Sequence, residues 1–188
     1  MLYPILISLL IGYAFGCIQS AYLLGRLVGK MDIREHGLRY GVIVGLVDIL
    51  KGLLAVLVIR WIFPEPPYLA FLAGLMAVVG HLFPFYMNFR GGKGVAALVG
   101  MMFGLNWKLG ILFVLLVAVP AFITDYIVAG SFTTFIALPV VAYVSGYPIV
   151  LLIFSLVLTG LCFYLHRENI QRIRKGEELK IRSVLFKS

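Results

Sequence analysis

Residues 68–86 read YLAFLAGLMAVVGHLFPFY, nineteen positions without an aspartate, glutamate, lysine or arginine. A helix needs roughly 20 mostly apolar residues to cross a bilayer core, so this stretch has the length and composition of a membrane span. Pro64-Glu65-Pro66-Pro67 precedes it, and proline cannot continue a helical hydrogen-bond ladder. Asn88-Phe89-Arg90-Gly91-Gly92-Lys93-Gly94 follows it. Working outward in both directions, the pattern repeats. Apolar runs cover residues 2–27 and 40–63 upstream, separated by the polar segment 29–39. Downstream runs cover 95–105, 109–124, 127–144 and 149–165, and a polar, basic tail occupies 166–188. The run at 95–105 is too short to cross a full bilayer by itself; neighbouring helices or the glycine loop must complete it.

Composition supports the same class. Of 188 residues, 62% are hydrophobic and 13% charged, and the mean hydropathy is +1.06. A soluble domain of this size has too little interior to hide so much apolar side chain. The expected fold is therefore all-α: a polytopic membrane helical bundle with about seven transmembrane segments, or five if two short segments do not cross, residues 1–188 forming a single membrane-embedded domain. The net charge of +8 does not signal nucleic acid, because the charges sit between apolar runs and in the tail. Cys17 and Cys162 lie inside apolar segments and read as small buried hydrophobes, with no disulfide expected. Residues 1–24 lack a basic leading region and a clear cleavage site, so they read as a retained first span.

The positive-inside rule sets the expected orientation. Alternate boundaries share a side. One side receives Arg26, Lys30, Arg34, Arg39, Arg90, Lys93 and the seven basic residues of the tail, thirteen of the sixteen in the chain. That side is assigned to the cytoplasm, with the N-terminus outside and the C-terminus inside. Arg60 and Lys108 fall on the other side, and Lys51 lies within a span.

Several polar groups gather at the cytoplasmic boundaries. His36, His81 and His166 all fall there, but His81 and His166 have no carboxylate at helical ligand spacing, and no metal site is expected. Gly91, Gly92 and Gly94 flank Lys93 at the start of the fourth apolar run. Glycines let backbone N–H groups turn toward an anion, a helix N-terminus adds a positive dipole end, and Lys93 adds a point charge. The Walker A spacing is absent, and the same residues would also serve as a flexible basic turn against lipid phosphates. His166 and Asn169 share a face at i, i+3 if the last helix continues. Histidine works as acid, base or hydrogen-bond donor near neutral pH; an ordinary interfacial helix end would look similar. Asp48 and Lys51, at i, i+3 within a span, are either a structural ion pair or a wall of the site, and are counted with the substrate-binding residues.

These residues fall into longer stretches. Gly80-His81-Leu82-Phe83-Pro84-Phe85 and Phe89-Arg90-Gly91-Gly92-Lys93-Gly94-Val95-Ala96 resemble the second signature of a bacterial family. His166-Arg167-Glu168-Asn169-Ile170, with Arg172, Gly176 and Glu178, resembles its third. Met31-Asp32-Ile33-Arg34-Glu35-His36-Gly37 and Asp48-Ile49-Leu50-Lys51-Gly52 also match. The family is the membrane glycerol-3-phosphate acyltransferases that use acyl phosphate, called PlsY. The resemblance implies transfer of a fatty acyl group from acyl phosphate to the 1-hydroxyl of glycerol 3-phosphate. The implied product is lysophosphatidic acid, the first step of phospholipid synthesis, made without a cofactor in a multi-pass protein of the bacterial inner membrane. Both substrates carry a phosphate, which suits a basic face, and the acyl chain suits a groove among helices and membrane lipids. By resemblance, Lys93 with Gly91, Gly92 and Gly94 holds phosphate, and His166 and Asn169 position or polarise the reacting groups. Arg172 adds charge, Glu178 braces the tail, and His81 is counted with the structural supports.

The chain departs from the family pattern in three places. After Gly37 the family continues with a loop rich in serine, glycine and asparagine, which carries the first signature. Here Gly37 runs straight into Leu38-Arg39-Tyr40, and no serine, threonine or asparagine stands between Gly37 and Asp48. An arginine-tyrosine pair of the family is Asp125-Tyr126 here, a reversal of charge that disfavours a nearby phosphate. Cys17 and Gln19 replace a serine and a proline. Two functions fit this pattern: an acyltransferase, with its acceptor retained or altered, and a non-catalytic paralogue that binds lipid phosphates or a partner membrane protein.

Overall fold

The computed structural model describes residues 2–27 and 38–185. Residues 28–37, and with them His36 and the matching stretch 31–37, lie outside the described residues. Among the described residues every regular element is helical: α1 (Leu2–Gly16), α2 (Ser20–Leu27), α3 (Leu38–Ile62), α4 (Tyr68–Leu82), α5 (Val95–Leu105), α6 (Trp107–Thr124), α7 (Ile127–Val144), α8 (Ile149–Leu165), α9 (Arg167–Lys175) and α10 (Ile181–Leu185). Four stretches are long and apolar enough to cross a membrane: Tyr40–Ile62, Tyr68–Met87, Trp107–Thr124 and Ile127–Val144. Two bent pairs, α1 with α2 and α8 with α9, reach that length when each is taken as one span, and Val95–Leu105 is a shorter apolar helix. The all-helical membrane architecture expected from the sequence is thus what the chain adopts.

The chain divides into two compact units, Met1–Ile111 and Leu112–Ser188. In the first, α4 is the central element. Twelve of its fifteen residues are buried, Phe71, Leu75 and Val78 completely. It packs against α1, α3 and α5. A bilayer gives helices no hydrophobic reason to associate, so close backbone approach and dispersion must hold them together. Gly12 and Gly16 supply that approach: a Cβ at either would run into the α4 backbone at Ala73 or Ala77. Gly100 plays the same part between α5 and α3, where a Cβ would meet the backbone of Ile49. Arg60, near the end of α3, donates to the carbonyls of Gly104 and Leu105 at 2.8 and 3.0 Å. It therefore answers the unpaired carbonyls at the C-terminus of α5.

The first apolar run differs from its sequence expectation. It is not one helix: the ladder breaks at residues 17–19, with a bend of 41° between α1 and α2. The break frees carbonyls that an unbroken helix would consume. Cys17 C=O accepts the Tyr86 hydroxyl at 2.6 Å, and Ile18 C=O accepts Lys51 Nζ at 2.7 Å.

In the second unit α7 packs on α8. Hydroxyl side chains within the helices bond to carbonyls rather than to lipid, as a water-free environment requires. Thr159 Oγ1 donates to Phe135 C=O at 2.6 Å, and Thr133 Oγ1 bonds Leu116 C=O. Phe132 and Phe163 stack with ring centroids 4.4 Å apart. The tail returns to the α6–α7 turn. Ile181 N–H donates to Asp125 C=O at 3.0 Å, and Arg182 N–H to Asp125 Oδ1 at 2.9 Å. Large apolar side chains such as Leu10, Trp61, Ile123, Val144 and Ile153 stay exposed, as the lipid-facing surface of a bundle would be.

Candidate functional site

In the first unit the glycine loop folds back on the end of α4. Phe83 closes the helix, Pro84 turns the chain, and residues 85–87 make one tight 3-10 turn. Asn88 and Phe89 then take left-handed backbone angles, φ 50° and 57°, which reverse the chain direction. The returning strand of loop is pinned by its own amides: Gly91 N–H donates to Leu82 C=O at 2.9 Å, and Gly92 N–H to His81 C=O at 3.0 Å. From sequence these amides were expected to face an anion; the structure gives both to α4 carbonyls. Gly94 has φ 81°, an angle that disfavours any side chain, and precedes α5. The amides of the first α5 turn, from Val95 onward, have no acceptor within their own helix and point along its axis past Gly94. Lys93 is half-buried beside them. Tyr13 and Gln19 secure the base of the loop. Tyr13 Oη donates to Phe83 C=O at 2.8 Å, and Gln19 Nε2 to His81 C=O at 3.0 Å.

Under the loop lies a buried polar cluster. Asp48 and Lys51, 6% and 3% exposed, pair at 2.9 Å one helical turn apart on α3. Ser20 Oγ donates to Asp48 Oδ1 at 2.8 Å. Lys51 Nζ lies 2.6 Å from His81 Nδ1, and Asp48 Oδ1 lies 3.7 Å from that nitrogen. Sequence inspection paired Asp48 with Lys51 but did not bring His81 or Ser20 to them. The available signal was Ser20 itself, a hydroxyl within the apolar run 2–27.

In the second unit His166 ends α8 and starts α9, with a 41° bend between the helices. The helix does not run straight through, yet His166 and Asn169 are both buried, 2% and 6% exposed. His166 Nδ1 lies 2.8 Å from Cys162 C=O. A carbonyl only accepts, so Nδ1 carries the hydrogen and Nε2 the lone pair. Phe132 meets the imidazole edge-on at 5.4 Å between centroids. Asn169 Nδ2 donates to Glu178 Oε1 at 2.6 Å, and Arg172 Nε to Glu178 Oε2 at 2.6 Å. One carboxylate thus orients an amide and a guanidinium. Gly176, with φ 73°, reverses the chain after α9 and lets Glu178 reach back. Asp125, the reversed charge, bonds the tail amide described above. Among the described residues no group of three or more histidine, cysteine, aspartate or glutamate side chains is arranged to hold a metal ion.

Comparison with known proteins gives a consistent result. The family model described as glycerol-3-phosphate acyltransferase matches residues 6–176. A glycerol-3-phosphate acyltransferase of a Bradyrhizobium species is 37% identical, over 93% of this chain and 94% of the relative. That of Bradyrhizobium diazoefficiens is 39% identical over the same shares. The crystal structure of PlsY, described as an integral membrane glycerol 3-phosphate acyltransferase in its glycerol 3-phosphate form, is similar with a TM-score of 0.81. The identity to it is 29%, covering 97% of this chain and 99% of that one. The lysophosphatidic acid form of PlsY is similar with a TM-score of 0.78 and 29% identity, covering 94% of each chain.

Proposed function

The chain belongs to the glycerol-3-phosphate acyltransferase family, and from that premise we propose that it acylates glycerol 3-phosphate with a fatty acyl phosphate as donor. The 1-hydroxyl oxygen attacks the acyl carbonyl carbon. An ester C–O bond forms, the bond from that carbon to the phosphate oxygen breaks, and phosphate leaves with the electron pair. The products are lysophosphatidic acid and inorganic phosphate.

The observation that carries this reading is the state of His166: its Nδ1–H is committed to Cys162 C=O, which makes Nε2 a lone-pair acceptor for the hydroxyl proton. Asn169, its amide oriented by Glu178, polarises the reacting carbonyl or holds a phosphate oxygen. Lys93 and Arg172 offset phosphate charge, and the axis of α5 past Gly94 adds the positive end of a helix. The Gly91–Gly92 backbone shapes the loop rather than donating to the ligand, since both amides already have acceptors.

Residues 1–188 are read as a single membrane-embedded domain on the ground that the family match, residues 6–176, runs through both units. Its setting is the bacterial inner membrane, with the acyl chain among membrane lipids and the basic boundaries toward the cytoplasm. The test uses purified protein with acyl phosphate and glycerol 3-phosphate, and phosphate release is measured beside a His166→Ala control. Release dependent on both glycerol 3-phosphate and His166 is expected. Release no faster than the control would defeat the assignment and favour the non-catalytic paralogue.

A further inference from the structure

A lysine ammonium has three N–H donors and no acceptor. Lys51 directs its three at Asp48 Oδ1, Ile18 C=O and His81 Nδ1, at 2.9, 2.7 and 2.6 Å. Since Nδ1 of His81 receives that bond, it carries no hydrogen, and the neutral ring bears its proton on Nε2. Asp48 cannot draw the proton back to Nδ1 without displacing a donor, because Oδ1 already accepts from Lys51 and Ser20. The ring is thereby fixed from behind in one tautomer, with the Nε2–H edge turned the other way.

That edge faces the glycine loop. A Cβ at position 92 would strike Nε2, Cε1 and Cδ2 of His81. Glycine at 92 therefore lets the loop backbone lie against the donor edge with no side chain over it, and Gly92 is exposed while His81 is 7% exposed. Among the described residues no protein acceptor takes the Nε2–H, whereas every fully buried side-chain nitrogen or oxygen has a partner. Nε2 is thus the atom of a buried histidine that lies beside the exposed Gly92 of the loop.

We propose that His81 is a substrate-binding residue whose Nε2–H donates a hydrogen bond to the phosphate of glycerol 3-phosphate at the glycine loop. Asp48 and Lys51 act through it as positioning residues that fix its tautomer. The assignment exchanges the parts expected from sequence, where Asp48 and Lys51 were the substrate ligands and His81 the support. It rests on the acyltransferase reading for the identity of the phosphate compound alone.

Isosteric substitution separates the two edges of the ring. Glutamine places an amide N–H where Nε2 stood; asparagine places a polar group only where Nδ1 stood. His81→Gln is expected to hold the KM for glycerol 3-phosphate within about threefold of wild type, and His81→Asn to raise it about tenfold or more, with kcat little changed in both. A merely structural tie to Lys51 would reverse that order. Equal KM values in the two variants, high or low, or a better KM in the asparagine variant, would overturn the assignment. If neither variant folds, the intact His81 decides. In protein whose other two histidines are glutamine, ¹⁵N-histidine spectra are expected to show the hydrogen on Nε2 and a shift of that resonance with inorganic phosphate. Hydrogen on Nδ1, or an unmoved resonance, would overturn it. This arm needs no turnover: absence of acyl transfer by the wild type would defeat the acyltransferase reading and leave the spectral answer on His81 standing.

Discussion

Glu178 Oε1 accepts a hydrogen bond from Asn169 Nδ2 at 2.6 Å, so a tail residue fixes the orientation of an amide buried at the start of α9. The same carboxylate takes Arg172 Nε on its other oxygen at 2.6 Å. A hydrogen bond to a charged group contributes about 1.5–3 kcal/mol. Glu178→Ala is expected to cut acyl transfer by about tenfold to a hundredfold and to lower the melting midpoint in detergent. Glu178→Gln keeps an acceptor for Asn169 and should retain more activity than the alanine variant. Steady-state phosphate release and thermal unfolding read both. Equal activity in wild type and Glu178→Ala would remove Asn169 orientation from the mechanism.

His166 sits in a different relation to its neighbours than His81 does. Its Nδ1 is held by Cys162 C=O, and the working atom is Nε2. General base catalysis contributes about 10²–10⁴-fold. His166→Ala should lower kcat by that order with a modest change in KM. His166→Asn retains a donor near Nδ1 and should be as inactive as alanine, because the Nε2 lone pair is gone. An active asparagine variant would show that the ring serves only as a structural pin.

Asp48 and Lys51 form a pair inside a span, and removing one partner strands the other. Breaking a buried pair costs about 3–5 kcal/mol. Lys51→Met is expected to reduce folded yield and unfolding temperature sharply. The double variant Asp48→Asn/Lys51→Met should recover most of that stability, yet its KM for glycerol 3-phosphate should be raised because His81 Nδ1 has lost the lysine donor. Unfolding in detergent and initial rates measure the two effects separately. No recovery in the double variant would mean that packing, and not the stranded carboxylate, causes the loss.

Asp125 accepts the Arg182 amide through its side chain and the Ile181 amide through its backbone carbonyl. Loss of a side-chain cap costs about 1 kcal/mol. Asp125→Ala should speed hydrogen–deuterium exchange over residues 181–185 while leaving α6 and α7 exchange unchanged. Unaltered exchange at 181–185 would show that the backbone bond alone holds the tail. The charge reversal that looked like damage to a phosphate site is thus a tie for the tail of this chain.

Much of the fold was legible because lipid imposes a simple rule. Every backbone polar group in the bilayer needs an internal partner, so an apolar run of sufficient length is a helix. The runs at 95–105, 127–144 and 149–165 coincide with α5, α7 and α8 residue for residue. The break between α1 and α2 was not legible. Residues 2–27 are apolar enough to continue, and what holds the break is tertiary: Tyr86 takes the carbonyl of Cys17 and Lys51 that of Ile18.

The sequence by itself determined the helical membrane class, the family, and the residues with chemistry to offer, because hydropathy and signature spacing are local properties of the chain. Only the tertiary structure decided what each polar group does. Asp48 and Lys51 share a helix turn, which spacing reveals, but His81 stands thirty residues further on and Gly92 forty-one beyond Lys51. Hydrogen-bond direction follows from which donor meets which lone pair, and that meeting is made by α3 and α4 packing together beneath the loop. The tautomers of His81 and His166 are opposite for the same reason: one ring nitrogen meets an ammonium, the other a carbonyl.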